Sequence, residues 1–145
     1  MNNRKVSAKV LAVLSGITLF LLSTAFASDI LVIVNKNVPN SSLSTKQIKD
    51  IYSANMTKWD DNKSIVVTTN MESELHEIFL KKYINKSPSQ FENTWKKIMF
   101  TGKGTIPPKI QTSQSLIDQV ASTSGAIGYV AAGLDTSRVK VIEVK

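Results

Sequence analysis

The chain has 145 residues, no cysteine and one histidine, which excludes thiol catalysis, stabilisation by disulfides and metal sites built from cysteines or several histidines. Its formal net charge is +7. Three of its 18 cations, Arg4, Lys5 and Lys9, fall in the first 27 residues, and without them 15 basic groups face 11 acidic ones, a net of +4. So mild an excess fits a solvated surface, with Lys46, Lys49, Lys58, Lys63, Lys81, Lys82, Lys96 and Lys97 spread along helix exteriors, and no basic-aromatic interleaving points to nucleic acid.

The three leading cations precede an uncharged stretch from Val10 to Ala27 that ends in Ala25-Phe26-Ala27. This pattern predicts a signal peptide over residues 1–27, cleaved before Ser28; the alternative is a retained transmembrane anchor. The small residues at Ala25 and Ala27 favour cleavage, and the absence of a following cysteine excludes lipid attachment there. Removing 27 of 145 residues leaves 118, numbers 28–145, which fits one domain with a modest core and is too short for two lobes. The expected product is free in the periplasm or secreted, with no membrane span after cleavage.

Ile30 to Val34 is a continuous apolar run ending at Asn35, the pattern of a central strand covered on both faces. After a loop, Ser44 and Gln47 form a capping box and Leu43 with Ile48 a hydrophobic staple, so a helix begins there with Ile48, Ile51 and Tyr52 on one face. A polar turn from Ser53 to Asn62 carries Trp59, which is either a loop anchor or, with Met56 and Met71, part of an exposed apolar patch. Residues 65–69 read as a second strand. Residues 73–84 read as a helix with Leu75, Ile78, Phe79 and Tyr83 inward, and with Glu72, Glu74 and Glu77 near its start and Lys81 and Lys82 near its end, as the helix dipole favours.

Ser87, Pro88 and Gln90 cap a further helix whose buried stripe is Phe91, Trp95, Ile98 and Met99. Thr101-Gly102-Lys103-Gly104, followed by Pro107-Pro108, ends it in an ordered loop. A short helix over 113–122 buries Leu116, Ile117 and Val120, and strands follow over 127–130 and 138–144, the latter with Val139, Val141 and Val144 alternating imperfectly. Gly125 marks a sharp turn and Gly128 a close approach where a side chain would be in the way. Helices alternating with strands predict an α/β sandwich with a mixed sheet flanked by helices.

Catalysis finds no constellation. His76 lies mid-helix, where a surface position is expected, with no glycine-framed serine to serve, and the glutamates near the helix start compensate its dipole. Binding has better support: a strand ending in Thr68-Thr69-Asn70 and turning into a helix near Ser73 gathers hydroxyls and free N–H groups, which outlines either an anion site or a plain helix cap. Thr101 to Gly104 is a poor phosphate loop, because its lysine stands between the glycines, and it reads as a ligand contact or as a solvated connection.

Leu43-Ser44, Ile48, Ile51-Tyr52, Trp59-Asp60, Phe79, Trp95, Phe100-Thr101-Gly102, Pro107-Pro108 and Gly125 to Val130, in this order, resemble the phosphate ABC transporter substrate-binding proteins. These are periplasmic solute-binding proteins of type II topology, here in a short, single-lobe form. The resemblance implies a noncatalytic lobe without cofactor that binds phosphate or a similar oxyanion for ABC-type uptake or sensing. Its site would use Thr69, Asn70 and Ser73, with Asn35, Thr101 and Gly102 lining the same edge. The two-lobe relatives carry an arginine and a Ser-Gly-Thr stretch at this helix start. Thr69 to Ser73 replace these, only Ser73 matches, and Glu72 and Glu74 repel phosphate unless they point away. The relatives' glycine-rich segment that builds the other half of the cleft has no counterpart before Ile30. These departures imply the alternative, a ligand-free envelope interaction module with a protein partner or self-association.

Overall fold

The computed structural model describes residues 29–145; the expected leader and its cleavage position lie outside them. The element order is β1 (Ile30–Val34), β2 (Ser42–Leu43), α1 (Thr45–Tyr52), β3 (Val66–Val67), β4 (Thr69–Asn70), α2 (Leu75–Phe79), a π-helical segment (Leu80–Ile84), α3 (Pro88–Phe100), β5 (Lys109–Ile110), α4 (Ser113–Ser122), β6 (Ala126–Ala131) and β7 (Lys140–Val144). Five strands form one sheet in the order β2-β7-β1-β6-β3. β1 is antiparallel to β6 and β7, β3 is parallel to β6 and β2 to β7, so the sheet is mixed and β1 is its centre.

Alternate residues of β1 serve different layers, since successive side chains of a strand point to opposite faces. Val32 and Val34 pack with Ile48, Ile51, Phe79, Leu80, Phe91 and Trp95 from α1, α2, the π-helical segment and α3. Ile33 packs with Leu116, Ile117 and Val120 of α4 on the other side. Helices on both faces explain the uninterrupted apolar run. The capping boxes at Ser44 and Ser87 are both formed.

Several predicted details are corrected. The strand over 65–69 is two strands: Val66 and Val67 join the main sheet beside β6, while Thr69 and Asn70 pair with β5 in a separate two-stranded sheet. Thr68 makes the transfer, its N–H and its hydroxyl both donating to the Ile127 carbonyl. The helix expected from Ser73 begins at Leu75, because Ser73 has φ +50°, outside the helical region. It continues as a π-helical segment closed by an Asn85 N–H to Leu80 carbonyl bond, and this i to i+5 pattern rotates the buried face. Leu80 and Ile84 therefore join the core beside Phe79 and Tyr83, while Ile78 is 41% exposed.

The last turn of α3 overhangs the core, leaving Met99 40% and Phe100 83% exposed. Met99 is thus not part of the buried stripe. Val139, one residue before β7, is buried in the α4 layer and Ile142 of β7 in the opposite one, while Val141 is 42% exposed. Trp59 is buried, its indole N–H donating to the Gly125 carbonyl at 2.9 Å, and Met56 and Met71 are half-buried, so these three form no exposed patch.

Gly125 and Gly128 set the approach of the neighbouring elements to β6. Gly125 has φ +76°, and a Cβ there would lie 2.3 Å from the Ser64 carbonyl oxygen. At Gly128 a Cβ would lie 2.5 Å from Leu116 Cδ2 and 2.7 Å from Thr68 Oγ1, so α4 sits directly on the strand. Gly128→Ala is expected to destabilise by about 1–3 kcal/mol through overpacking. Gly125→Ala is expected to cost more, since the obstacle is backbone and the conformation is left-handed. Urea unfolding of the two variants beside the parent checks both the size and the ranking.

Candidate functional site

The recess of interest lies where the chain leaves β4 for α2 and meets the first turn of α4. Asn70 organises it. Its Nδ2 donates to Ser113 Oγ at 2.9 Å and to the Tyr129 carbonyl at 3.1 Å, and its Oδ1 accepts the Glu72 N–H at 2.9 Å. The backbone N–H of Asn70 donates to the Tyr129 hydroxyl oxygen at 3.1 Å. That hydroxyl lies 2.6 Å from His76 Nδ1. Among the described residues the Tyr129 hydroxyl has no acceptor for its proton other than His76 Nδ1, so it donates there and the imidazole proton belongs on Nε2.

Tyr129 is buried and stacked on Phe79 with centroids 3.7 Å apart. Burial pushes the Tyr129 phenol well above its ordinary pKa, so it remains a donor. The Glu72 carboxylate accepts the Ser113 N–H at the first turn of α4, while Thr112 caps that helix through its side chain. Hydrogen bonds from Ser113 hold the Glu72 carboxyl below its usual range. The negative charge that a helix N-terminus favours is therefore supplied by the chain itself. Outside this contact a groove of about 250 Å³ runs past Glu72, Ser73, Glu74, Leu75, Ser113 and Ala131.

The other predicted site residues are dispersed. Thr69 donates to the Pro108 carbonyl at 3.0 Å. Ser73 is exposed on the groove. Asn35 is buried, and its Nδ2 donates to the carbonyls of Val120 and Ala121 at 2.9 and 3.1 Å, at the C-terminal end of α4. Asn35 and Asn70 thus stand at opposite ends of one helix, which corrects the expectation of a shared edge. Thr101 donates to the Ile98 carbonyl and Gly102 lies in an exposed turn, both closing α3. Lys103 and Gly104 line a different recess of about 300 Å³, with Ile51, Ser64, Val67 and Trp95.

His76 is buried at 9% exposure, which corrects its expected surface position. Sequence reasoning missed the partnership of His76, Ser113 and Tyr129. A signal existed for two of them: Tyr129 sits in a buried strand, where a phenol needs a partner, and His76 is three and four residues before the core residues Phe79 and Leu80.

Residues 21–142 match the family described as the PBP superfamily domain. The chain belongs to this family. It has the fold of a single lobe of a solute-binding protein, as comparison with solved structures shows. A phosphate ABC transporter substrate-binding protein from Clostridium perfringens, solved with bound phosphate, superposes with a TM-score of 0.61 at 24% identity over 79% of this chain and 44% of that one. An ABC-type phosphate transport receptor from Vibrio cholerae gives 0.53 at 17% identity, over 79% and 45%. A phosphate-binding protein from Stenotrophomonas maltophilia gives 0.54 at 21% identity, over 81% and 39%. The chain therefore spans less than half the length of these structures. No match was found among curated proteins. Among the described residues no helix is long and apolar enough to cross a membrane, and no cluster of acidic or histidine side chains could hold a metal.

Burial, and secondarily the charge of Lys109, pushes the His76 imidazole below its ordinary pKa. The unfolded chain, with a histidine near pH ~6.5, then binds a proton more readily than the folded one. The stability due to neutral His76 is complete above that pH and is lost as the pH falls through it toward the lower folded value. Urea unfolding between pH 7.5 and pH 5 is expected to show a falling free energy for the parent and a flatter profile for His76→Gln, since His76 is the sole histidine.

Proposed function

We propose that the protein is an exported, noncatalytic solute-binding lobe that recognises phosphate or a similar oxyanion at the groove between residues 70–74 and the start of α4, in ABC-type uptake or sensing. Export follows from the leader pattern of residues 1–27, and the working unit is residues 28–145 as one domain in the periplasm. One observation carries the reading: the Ser113 N–H already holds a carboxylate oxygen, that of Glu72. Where one oxyanion is bound by the first turn of a helix, another can take its place. The solved structures of the same fold named for phosphate transport support that choice of ligand.

Geometry also limits the strength of capture. Asn70 has both its amide protons and its carbonyl oxygen engaged within the protein, so an incoming anion gains the Ser113 N–H and Ser73 but little else. It must displace Glu72 and tolerate Glu74, while its outer oxygens stay in water. Weak affinity, in the millimolar range, is the consequence.

A second reading, a ligand-free envelope module that binds a protein partner or itself, is favoured by two observations. Thr69 and Asn70 are saturated by internal bonds, and Phe100 with Met99 presents apolar surface at the end of α3.

Thermal-shift titration with phosphate and sulfate separates the two readings. Ligand at tenfold its Kd adds ~1.4 kcal/mol of stability. A few degrees of stabilisation is expected for the parent at about 10 mM phosphate. The rise should be larger in Glu72→Ala, where the internal competitor is gone, and smaller in Ser73→Ala. No shift in either the parent or Glu72→Ala would abandon oxyanion recognition in favour of the interaction module.

A further inference from the structure

β3 is an edge strand of the five-stranded sheet, with β6 on one side only. The N–H groups of Val66 and Thr68 donate to the Gly125 and Ile127 carbonyls, so residues 65, 67 and 69 direct their backbone groups to the open side. The chain itself closes that side at both ends. The Ile65 N–H donates to the Thr57 carbonyl at 2.9 Å, and the Thr69 N–H to the Pro108 carbonyl at 3.1 Å. Between them, neither the N–H nor the carbonyl of Val67 has a hydrogen-bond partner among the described residues. The sheet edge therefore has a gap one residue wide.

The recess of about 300 Å³ beside Lys103 lies along this gap, with residues 64–67 on one side and the segment from Lys103 to Pro108 on the other. Pro107 and Pro108 lack an N–H, so this segment has no donor there with which to close the gap. Gly104 sets it against α3, where a Cβ would lie 3.4 Å from Trp95 Cζ3 and 3.3 Å from Ile98 Cγ2. The Trp95 indole N–H donates to the Tyr52 carbonyl at 3.0 Å, so the ring offers the recess only carbon. Ile51, Met56, Ile65 and Pro107 complete the apolar walls. No carboxylate lines the recess. Its one charged residue, Lys103, is exposed and makes no ion pair among the described residues.

We propose that this recess binds the C-terminal end of a peptide chain whose last side chain is apolar. The next-to-last residue pairs with Val67, donating its N–H to the Val67 carbonyl and accepting the Val67 N–H, as a strand added to a sheet edge does. The terminal carboxylate faces Lys103 and keeps part of its hydration, and the last side chain enters between Met56, Trp95 and Pro107. Geometry bounds the length. Ile65 and Thr69 are about 13 Å apart along the strand, and the Thr57 and Pro108 carbonyls occupy both, so a long added strand collides with them while two residues fit between. A volume at the lower end of small-ligand sites agrees with this. An acidic last side chain is disfavoured, since it would be desolvated among carbon walls. The site does not depend on oxyanion recognition, as the recess and the groove at Glu72 share no lining residue.

The test is a titration of the ¹⁵N-labelled full chain with acetyl-Ala-Leu, followed by NMR at the Val67 amide and the Trp95 indole. Both signals should move saturably at millimolar peptide. The amide-capped peptide, which lacks the charge, should bind about three- to fivefold more weakly, and Lys103→Met should remove that difference by weakening the acid alone. Methylating the alanine nitrogen of the peptide deletes the donor to Val67 and should weaken binding about tenfold or more. Thr105→Trp, at the exposed rim, should fill the recess and abolish the response with the remaining spectrum unchanged. Absence of a saturable change at Val67 overturns the proposal. So does equal binding of the amide-capped or the N-methylated peptide, or a response that survives Thr105→Trp. Phosphate at the groove is read at the Ser113 amide and should leave Val67 unmoved. Silence at Ser113 thus counts against the oxyanion reading alone, and silence at Val67 against the peptide site alone.

Discussion

The seat of α4 on β6 fixes the geometry on which both ends of the molecule depend. With no side chain at Gly128, Leu116 approaches the strand closely enough that a single methyl group would collide with it. Interiors are packed to crystal-like density, so such a contact determines where a helix lies to within a fraction of an ångström. Once α4 is in place its two ends have assigned partners. Asn35, just beyond β1, donates to the carbonyls of Val120 and Ala121, and Asn70, at the end of β4, donates to Ser113 Oγ. Two buried asparagines of similar appearance in the sequence thus hold opposite ends of one helix: Asn35 satisfies carbonyls that the helix leaves unpaired, while Asn70 holds the side chain of its first residue.

The clamp at the N-terminal end explains how the first turn of α4 comes to be held by a carboxylate of the chain's own. Buried polar groups are costly unless every donor and acceptor is matched. Around Asn70 each is matched: two protons to Ser113 and Tyr129, one oxygen to the Glu72 N–H, and the backbone N–H to the phenol. The Glu72 N–H bond to Asn70 turns the chain so that the Glu72 side chain reaches the first turn of α4. The same acidic residue that would repel a phosphate on sequence grounds therefore points at a backbone donor in the first turn of α4. Charge and backbone geometry are not separable here.

Local signals in the sequence carried much of the architecture. The capping boxes at Ser44 and Ser87 involve residues three apart, the apolar run of β1 reports burial on both faces, and the two glycines of β6 mark a turn and a close contact. The features that escaped depend on partners far along the chain. Nothing near Thr68 states that residues on either side of it belong to different sheets, because that follows from Ile127 on one side and Pro108 on the other. After Phe79 the π-helical segment carries Leu80 and Ile84 into the core beside Tyr83, a change of winding that composition does not announce. The burial of His76 rests on a phenol 53 positions later. The polar cluster of Thr69 to Ser73 was legible as a set of donors, but not the internal acceptors that already engage Thr69 and Asn70.

The hydrogen bonds from His76 to the groove form one continuous and directional series. Tyr129 donates to His76, Asn70 donates to Tyr129, and Glu72 donates through its N–H to Asn70. Reversing the first bond would require a proton on His76 Nδ1, and the Tyr129 hydroxyl, already receiving the Asn70 N–H, would then need another acceptor. The Asn70 carbonyl oxygen is engaged by Glu72, and the stacked face of Phe79 offers no conventional acceptor. A buried hydroxyl left in that position carries the full desolvation penalty, so the series has a single favourable sense. It keeps the imidazole proton on Nε2 and leaves the groove to the carboxylate of Glu72. One network, anchored by Asn70, thus sets both the tautomer of His76 and the backbone turn at Glu72.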